Sequence, residues 1–463
     1  MNHQPGSRRE FLKNVFAISA LTALGGCQTT LIRTGGSGLQ ISTFRADVTP
    51  ELGTPIYSSY KPLETIEHPL LAKGIILQDG GRRYVLCAVD WCELCNSTHE
   101  VFRTRIAKAA KTDVSRVAVQ TVHQHTAPMA DGDASRLIET VNDPPVHPTA
   151  ESFEKGAEPI AEAIGQAMKE FVPFNRIGIG QAKVERVASN RRIITPEGKM
   201  VTRMSSCQDP AVRALPEGLI DPYIKTITFS QGDRPLVRIH YYATHPQSFY
   251  GDPRTSYDFP GIAREELQKK ENIFQIYFNG CGGDIAAGKY NDGKPAARAE
   301  LAQRLLAGME ASIAATTYTP VETLSWRTHP VTFTPRNDTG FTEPECFARM
   351  ADTSQSTNVR YSAAQVQAWR NRARRPIEFT ALQLGNVHIL HLPGEPMVEF
   401  QRFAQRVRRD AFVAVAGYGD CATAYICTER SFSEGGYEPS ASHVVPESEI
   451  LVRDAIRRLL DVA

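Results

Sequence analysis

Val117-Ala118-Val119-Gln120-Thr121-Val122-His123-Gln124-His125-Thr126-Ala127-Pro128 runs from an apolar, β-branched stretch into two histidines and stops at a proline. The apolar half reads as a strand over Val117 to Val122, and Thr126-Ala127-Pro128 ends it. Two histidines spaced by two share a face on an extended segment, and on a turn they can aim at one centre. The same design recurs three times. Leu236 to Ile239 precedes Ala243-Thr244-His245-Pro246, Val387 to Leu390 precedes Leu392-Pro393-Gly394-Glu395, and Phe412 to Val415 precedes Ala424-Tyr425-Ile426-Cys427. Imidazole nitrogens with carboxylate and phenol oxygens are a donor set suited to a hydrolytic metal centre. Strand ends of an α/β sheet are where ligands and chemistry collect. An enzyme is the leading reading.

Working outward, apolar runs and amphipathic stretches alternate. Strands are expected over Tyr84 to Val89, Ile177 to Val187, Leu236 to Tyr242, Phe274 to Phe278, Val387 to Leu392 and Phe412 to Val415. Helices are expected over Thr98 to Ala110, Phe153 to Phe171, Pro260 to Lys270, Ala296 to Ala315, Glu399 to Arg409 and Glu447 to Leu460. Asp131 to Pro148 reads as a loop, and Ser189 to Met204 as a polar segment. Thr316 to Arg375 reads as an irregular, polar lid or subdomain. The alternation predicts an α/β fold, a layered sheet-and-helix catalytic domain with its metal site at strand ends. No internal repeat or low-complexity block is visible.

The N-terminus reads as an address. Ser7-Arg8-Arg9-Glu10-Phe11-Leu12-Lys13 carries a twin arginine, and the apolar stretch from Val15 to Leu24 is too short to span a bilayer. Leu24-Gly25-Gly26-Cys27 reads as a lipobox with Cys27 as the lipidated residue. Residues 1–27 are therefore expected to be a signal, 28–40 a Thr-, Gly- and Ser-rich tether, and 41–463 the catalytic domain. The expected location is the periplasm, with the membrane engaged through a lipid anchor. Formal net charge is +1, from 52 basic and 51 acidic residues, with no basic run, which argues against nucleic acid as a partner. Nine cysteines in 463 residues are too sparse for a disulfide framework. Cys92-Glu93-Leu94-Cys95 has knuckle spacing but no second pair.

Each motif has a plainer reading. The histidine pair could serve hydrogen bonding alone, and His245 could be a satisfied core histidine. Glu395 could compensate a helix dipole, and Tyr425 and Tyr437 could be packing. Gly280-Cys281-Gly282-Gly283-Asp284, after a strand, could bring backbone amides of Gly282, Gly283 and Asp284 to a substrate or be only a tight turn. It has no lysine for a phosphate loop, and no Gly-x-Ser-x-Gly elbow is present in the chain.

Taken together, these segments resemble the neutral/alkaline ceramidases, zinc amidases that cleave an N-acyl sphingoid base. The resemblance runs from Ala46-Asp47-Val48-Thr49-Pro50 to about His443. It implies His123, His245, Glu395 and Tyr425 as zinc ligands. It also implies His125 as a substrate contact, Tyr437 in Gly436-Tyr437-Glu438 as hydrogen-bond donor to the reacting carbonyl, and Arg191 in Asn190-Arg191-Arg192 as a site arginine. Three departures accompany it. The family's serine falls on Ala286, the family's C-terminal β-sandwich has no counterpart, and the His245-to-Asp284 interval is shorter. The implied activity is hydrolysis of an amide in an N-acylated, ceramide-like small molecule by zinc-activated water. Alternatives are the same metal chemistry on a non-lipid, carbohydrate-derived substrate, or a binding lipoprotein that has lost catalysis.

Overall fold

The computed structural model describes residue 1, residues 38–195 and residues 197–462. The twin-arginine segment, the lipobox with Cys27 and residues 28–37 of the tether lie outside the described residues. Residues 38–463 form one compact unit.

Three sheets share one plan. In the first, β1 (Gln40–Asp47), β2 (Leu71–Asp79), β3 (Arg82–Val89), helix α1 (Asn96–Ala110) and β4 (Val117–Thr121) give the strand order β4-β3-β2-β1. The second has β5 (Arg176–Lys183), β6 (Tyr223–Gln231), β7 (Arg234–Tyr242), helix α2 (Asp258–Glu271) and β8 (Phe274–Asn279), in the order β8-β7-β6-β5. The third has β9 (Ser325–Val331), β10 (Ile377–Leu384), β11 (Val387–His391), helix α3 (Val398–Val407) and β12 (Phe412–Ala416), in the order β12-β11-β10-β9. Short edge strands extend the first two sheets, Val172–Pro173 beside β1 and Thr317–Pro320 beside β5.

The repeat follows from turn chemistry. Gly80-Gly81, Gly232-Asp233 and Gly385-Asn386 each close a two-residue hairpin, between β2 and β3, β6 and β7, and β10 and β11. Gly80, Gly232 and Gly385 have φ of 53°, 57° and 58°, the left-handed region that such hairpins demand. A parallel neighbour cannot be reached by a hairpin, so the chain crosses back through a helix each time. It pairs β4 with β3, β8 with β7 and β12 with β11, all parallel. The repeat is thus structural although none is visible in the residues. Leu86 and Ala118 from the first sheet, Ile227 and Ile276 from the second, and Ile389 and Ala414 from the third share one buried core.

Two segments depart from the expectation. Asp131 to Pro148 contains a helix, Gly132–Ile138, N-capped by Asp131, whose Oδ1 accepts from Ala134 N at 3.1 Å. Thr316 to Arg375 is ordered, with strands and the helices Glu343–Ala351 and Thr357–Arg372. Thr342 and Glu345 form a capping box at the first helix, and Ser356 caps the second. Their buried residues Met350, Tyr361, Ala364 and Ala368 pack with Ala134 and Ile138 of the Gly132–Ile138 helix. The polar surface of this unit masked a small core beneath it.

Candidate metal centre

The carboxyl ends of the three parallel pairs supply the site. His123 and His125 follow β4, His245 follows β7, and Glu395 follows β11. Tyr425 lies beyond β12, in a two-residue ribbon where Glu395 pairs in parallel with Tyr425. Left-handed backbone sets the turns: φ is 71° at His123, 64° at Gly394 and 48° at Ala424. Non-glycine residues in that region are uncommon and collect at functional sites. At Gly394 a Cβ would meet the carbonyl of Ala424 at 2.8 Å, so the position requires glycine.

Glu395 Oε2 lies 3.0 Å from His123 Nε2 and 3.1 Å from His245 Nε2. The Tyr425 hydroxyl is 3.5 Å from His245 Nε2. Both imidazoles are committed at the other nitrogen. His123 Nδ1 donates to Cys92 O at 2.9 Å, and His245 Nδ1 donates to Gly282 O at 2.7 Å. The Nε2 lone pairs therefore face a carboxylate oxygen, which is repulsive unless a cation sits between them. His123 Nε2 and Glu395 Oε2 are buried without a hydrogen-bond partner among the described residues. Bonds of about 2.0 Å in a tetrahedral zinc site place neighbouring donors roughly 3.3 Å apart, close to the separations found. His123, His245 and Glu395 thus form a group able to hold a metal ion, all three buried. Burial alone would raise the Glu395 pKa, but His123 and His245 outweigh it and hold the carboxylate well below its ordinary range.

The other expected residues sit around this group. His125 donates from Nδ1 to His123 O at 3.1 Å, leaving Nε2 free; burial, with His123 and His245 beside it, pushes its pKa well below the ordinary value. Arg191 donates from Nη2 to the Tyr425 oxygen at 3.1 Å and to Gly283 O, while its Nε holds Glu438 at 3.0 Å. Burial works against its charge, yet Tyr425 and Glu438 keep it fully ionised. Its guanidinium lies 5.5 Å from the Tyr437 ring centroid, and the Tyr437 and Tyr425 rings are 5.6 Å apart. A cleft of about 320 Å³ opens on His123, His125, Glu395, Tyr425, Arg191 and Tyr437.

Gly282, Gly283 and Asp284, expected at a substrate, lie behind the ligands and outside the lining of that cleft. Gly282 O and Gly283 O hold His245 and Arg191, and Asp284 accepts from Asn190 Nδ2 at 2.7 Å and Val398 N at 2.8 Å. Ala286 is buried in a ribbon with Ser189 and does not line the cleft.

Several site residues escaped the sequence reading. Tyr418 stacks on His123 with centroids 4.3 Å apart, Tyr57 lies 5.6 Å from the His125 ring, and Glu438 anchors Arg191. Glu93 lines the cleft, where burial and then the charge of Glu395 raise its pKa well above the carboxylate range. Glu93 stood in Cys92-Glu93-Leu94-Cys95 just past β3, the same position relative to its strand that marked the ligands. All eight described cysteines are free.

The chain superposes on the neutral ceramidase from Pseudomonas aeruginosa over 92% of its own length and 75% of the other's, with a TM-score of 0.68 and 16% identity. The fold is that of the neutral ceramidases. A structure described as a ceramidase complexed with C2 matches over 92% of this chain and 76% of its own, with a TM-score of 0.67 and 15% identity. No protein-family model and no curated protein matches the sequence. The ceramidase likeness therefore lives in the backbone plan, which the motif resemblance had anticipated.

Proposed function

We propose that this chain is a zinc-dependent hydrolase that cleaves the amide bond of an N-acylated substrate, exported by the twin-arginine route and anchored through Cys27. The observation that carries the catalytic part is the buried convergence of His123 Nε2, His245 Nε2 and Glu395 Oε2. The ceramidase fold supports the reaction class, with ceramide as the reference substrate.

His123, His245, Glu395 and Tyr425 would hold the ion. Zinc bound there would polarise a carbonyl and lower the pKa of a water to about 7. The chain's own residues do the rest. The Tyr437 hydroxyl donates to the carbonyl oxygen as charge develops on it. His125, with Nδ1 fixed on His123 O, presents a neutral Nε2 that can take the proton from the attacking water and pass it to the leaving amine nitrogen. Arg191, fixed by Glu438, holds the Tyr425 oxygen in place as an acceptor. Water is the nucleophile in this scheme, so Ala286 needs no hydroxyl.

Elemental analysis of the purified mature protein beside its His245→Ala variant tests the centre. One zinc per wild-type chain, lost in the variant, supports it. No bound metal after zinc loading sinks the hydrolase mechanism and puts a binding lipoprotein in its place.

A further inference from the structure

The wall of the cleft away from the metal ligands carries a polar stripe beside Phe341 and Val366. Arg349 of helix Glu343–Ala351 and Asn358, Ser362 and Gln365 of helix Thr357–Arg372 all line it. Positions 358, 362 and 365 fall on one helical face, four and then three residues apart. Among the described residues none of these three side chains hydrogen-bonds to the protein, and their polar atoms are open to the cleft. Arg349 donates from Nη2 to Gly340 O, has no carboxylate within 4.0 Å among the described residues, and its buried Nε has no hydrogen-bond partner. The buried Arg349 Nε–H without a partner is costly unless water or a ligand completes it. Tyr57 and Tyr437 line the same cleft, and Tyr437 is 41% exposed.

Aromatic faces beside a stripe of amide, hydroxyl and guanidinium groups match the two-sided chemistry of a sugar ring. The C–H face packs on an aromatic ring, and the hydroxyls complete the polar side chains. An alkyl chain laid on the same stripe would strip water from these groups and return no hydrogen bond. We propose that the Asn358–Ser362–Gln365 stripe, with Arg349, Tyr57 and Tyr437, selects a hydroxyl-rich N-acyl amine of the amino-sugar class. This rests on the amide-hydrolase reading above and specifies its substrate.

The test keeps the acyl group constant and changes the amine. Zinc-loaded full-length protein is given N-acetylsphingosine, the methyl glycosides of N-acetylglucosamine and N-acetylgalactosamine, and diacetylchitobiose, and acetate release is measured. The expected result is a kcat/KM at least tenfold higher on one of the amino sugars than on N-acetylsphingosine. Asn358→Ala and Gln365→Ala should each raise KM for that sugar about fivefold or more, with a smaller change in kcat. Thermal melts confirm folding. A smaller or reversed preference, or variants that leave KM for the sugar unmoved, overturns the inference while leaving the hydrolase standing. A zinc-loaded enzyme that releases acetate from none of the probes overturns the hydrolase reading itself, and this inference with it.

Discussion

Glu395 and Tyr425, thirty positions apart in the chain, are register partners in a two-residue parallel ribbon. Glu395 N donates to Ala424 O at 2.9 Å, and Met397 N donates to Ile426 O at 3.1 Å. The ribbon brings an acidic and a phenolic donor side by side past the third sheet, facing the histidines of the first two.

That ribbon depends on Gly394, whose φ of 64° is disfavoured for any side chain and whose Cβ would strike Ala424 O. Gly394→Ala should lose about 1–3 kcal/mol of stability. It should also lose stoichiometric metal, because relief of the clash displaces Glu395. Urea unfolding and elemental analysis check both; full retention of metal would mean that the ribbon is not what places Glu395.

Tyr425→Phe removes the oxygen that sits 3.5 Å from His245 Nε2 and accepts from Arg191. Zinc affinity, measured by competition with a chromogenic chelator, should fall at least about tenfold, the lower bound for losing even an outer partner of a metal site. An unchanged affinity would remove Tyr425 from the ligand set.

Glu438 pairs with both Arg191 and Arg192, at 3.0 and 3.1 Å, and is itself fully buried. Removing one partner of a buried ion pair costs about 3–5 kcal/mol. Glu438→Ala should show a loss of that order in urea unfolding, together with weaker zinc binding as Arg191 leaves Tyr425. A loss below about 1 kcal/mol would place the anchor of Arg191 elsewhere.

Acid should unfold the protein through histidines remote from the candidate metal centre. Burial pushes His99 and His240 down to about 4 and His391 to about 3. In the unfolded chain they titrate near 6.5, so below that pH the unfolded state binds more protons and stability rises with pH. Their contribution is complete above about 6.5 and is lost as pH falls toward 4, at up to about 1.4 kcal/mol per group per pH unit. His240 bonds Thr226 Oγ1 and Gln275 Oε1, both at 2.9 Å. His240→Gln should make the wild-type dependence of unfolding free energy on pH shallower by one group's share between pH 4 and 6.5. An identical slope in the variant would remove His240 from the account.

The four donor motifs were legible because each follows a local apolar run, and an apolar run followed by a donor residue can be seen in a short window. The helices and parallel strands that frame them were legible for the same reason. The antiparallel partners β1, β2, β6, β9 and β10 were passed over, although the Gly80-Gly81, Gly232-Asp233 and Gly385-Asn386 hairpins mark β2, β6 and β10. The helices between 343 and 372 were hidden by their polar surfaces, with only the caps at Thr342 and Ser356 to betray them.

By itself, then, the sequence determined which residues could bind a metal and that they stand at strand ends, since both follow from local periodicity and donor chemistry. Only the tertiary structure decided that three sheets repeat one plan and turn their parallel ends to a common point. It likewise decided that Gly282 and Gly283 hold His245 and Arg191, that Asp284 holds Asn190, that Glu438 anchors Arg191 from 247 positions away, and that the Thr357–Arg372 helix lines the cleft with Asn358, Ser362 and Gln365. Those outcomes depend on pairings between distant segments, whose energies arise only when burial forces each polar group to find its partner in space.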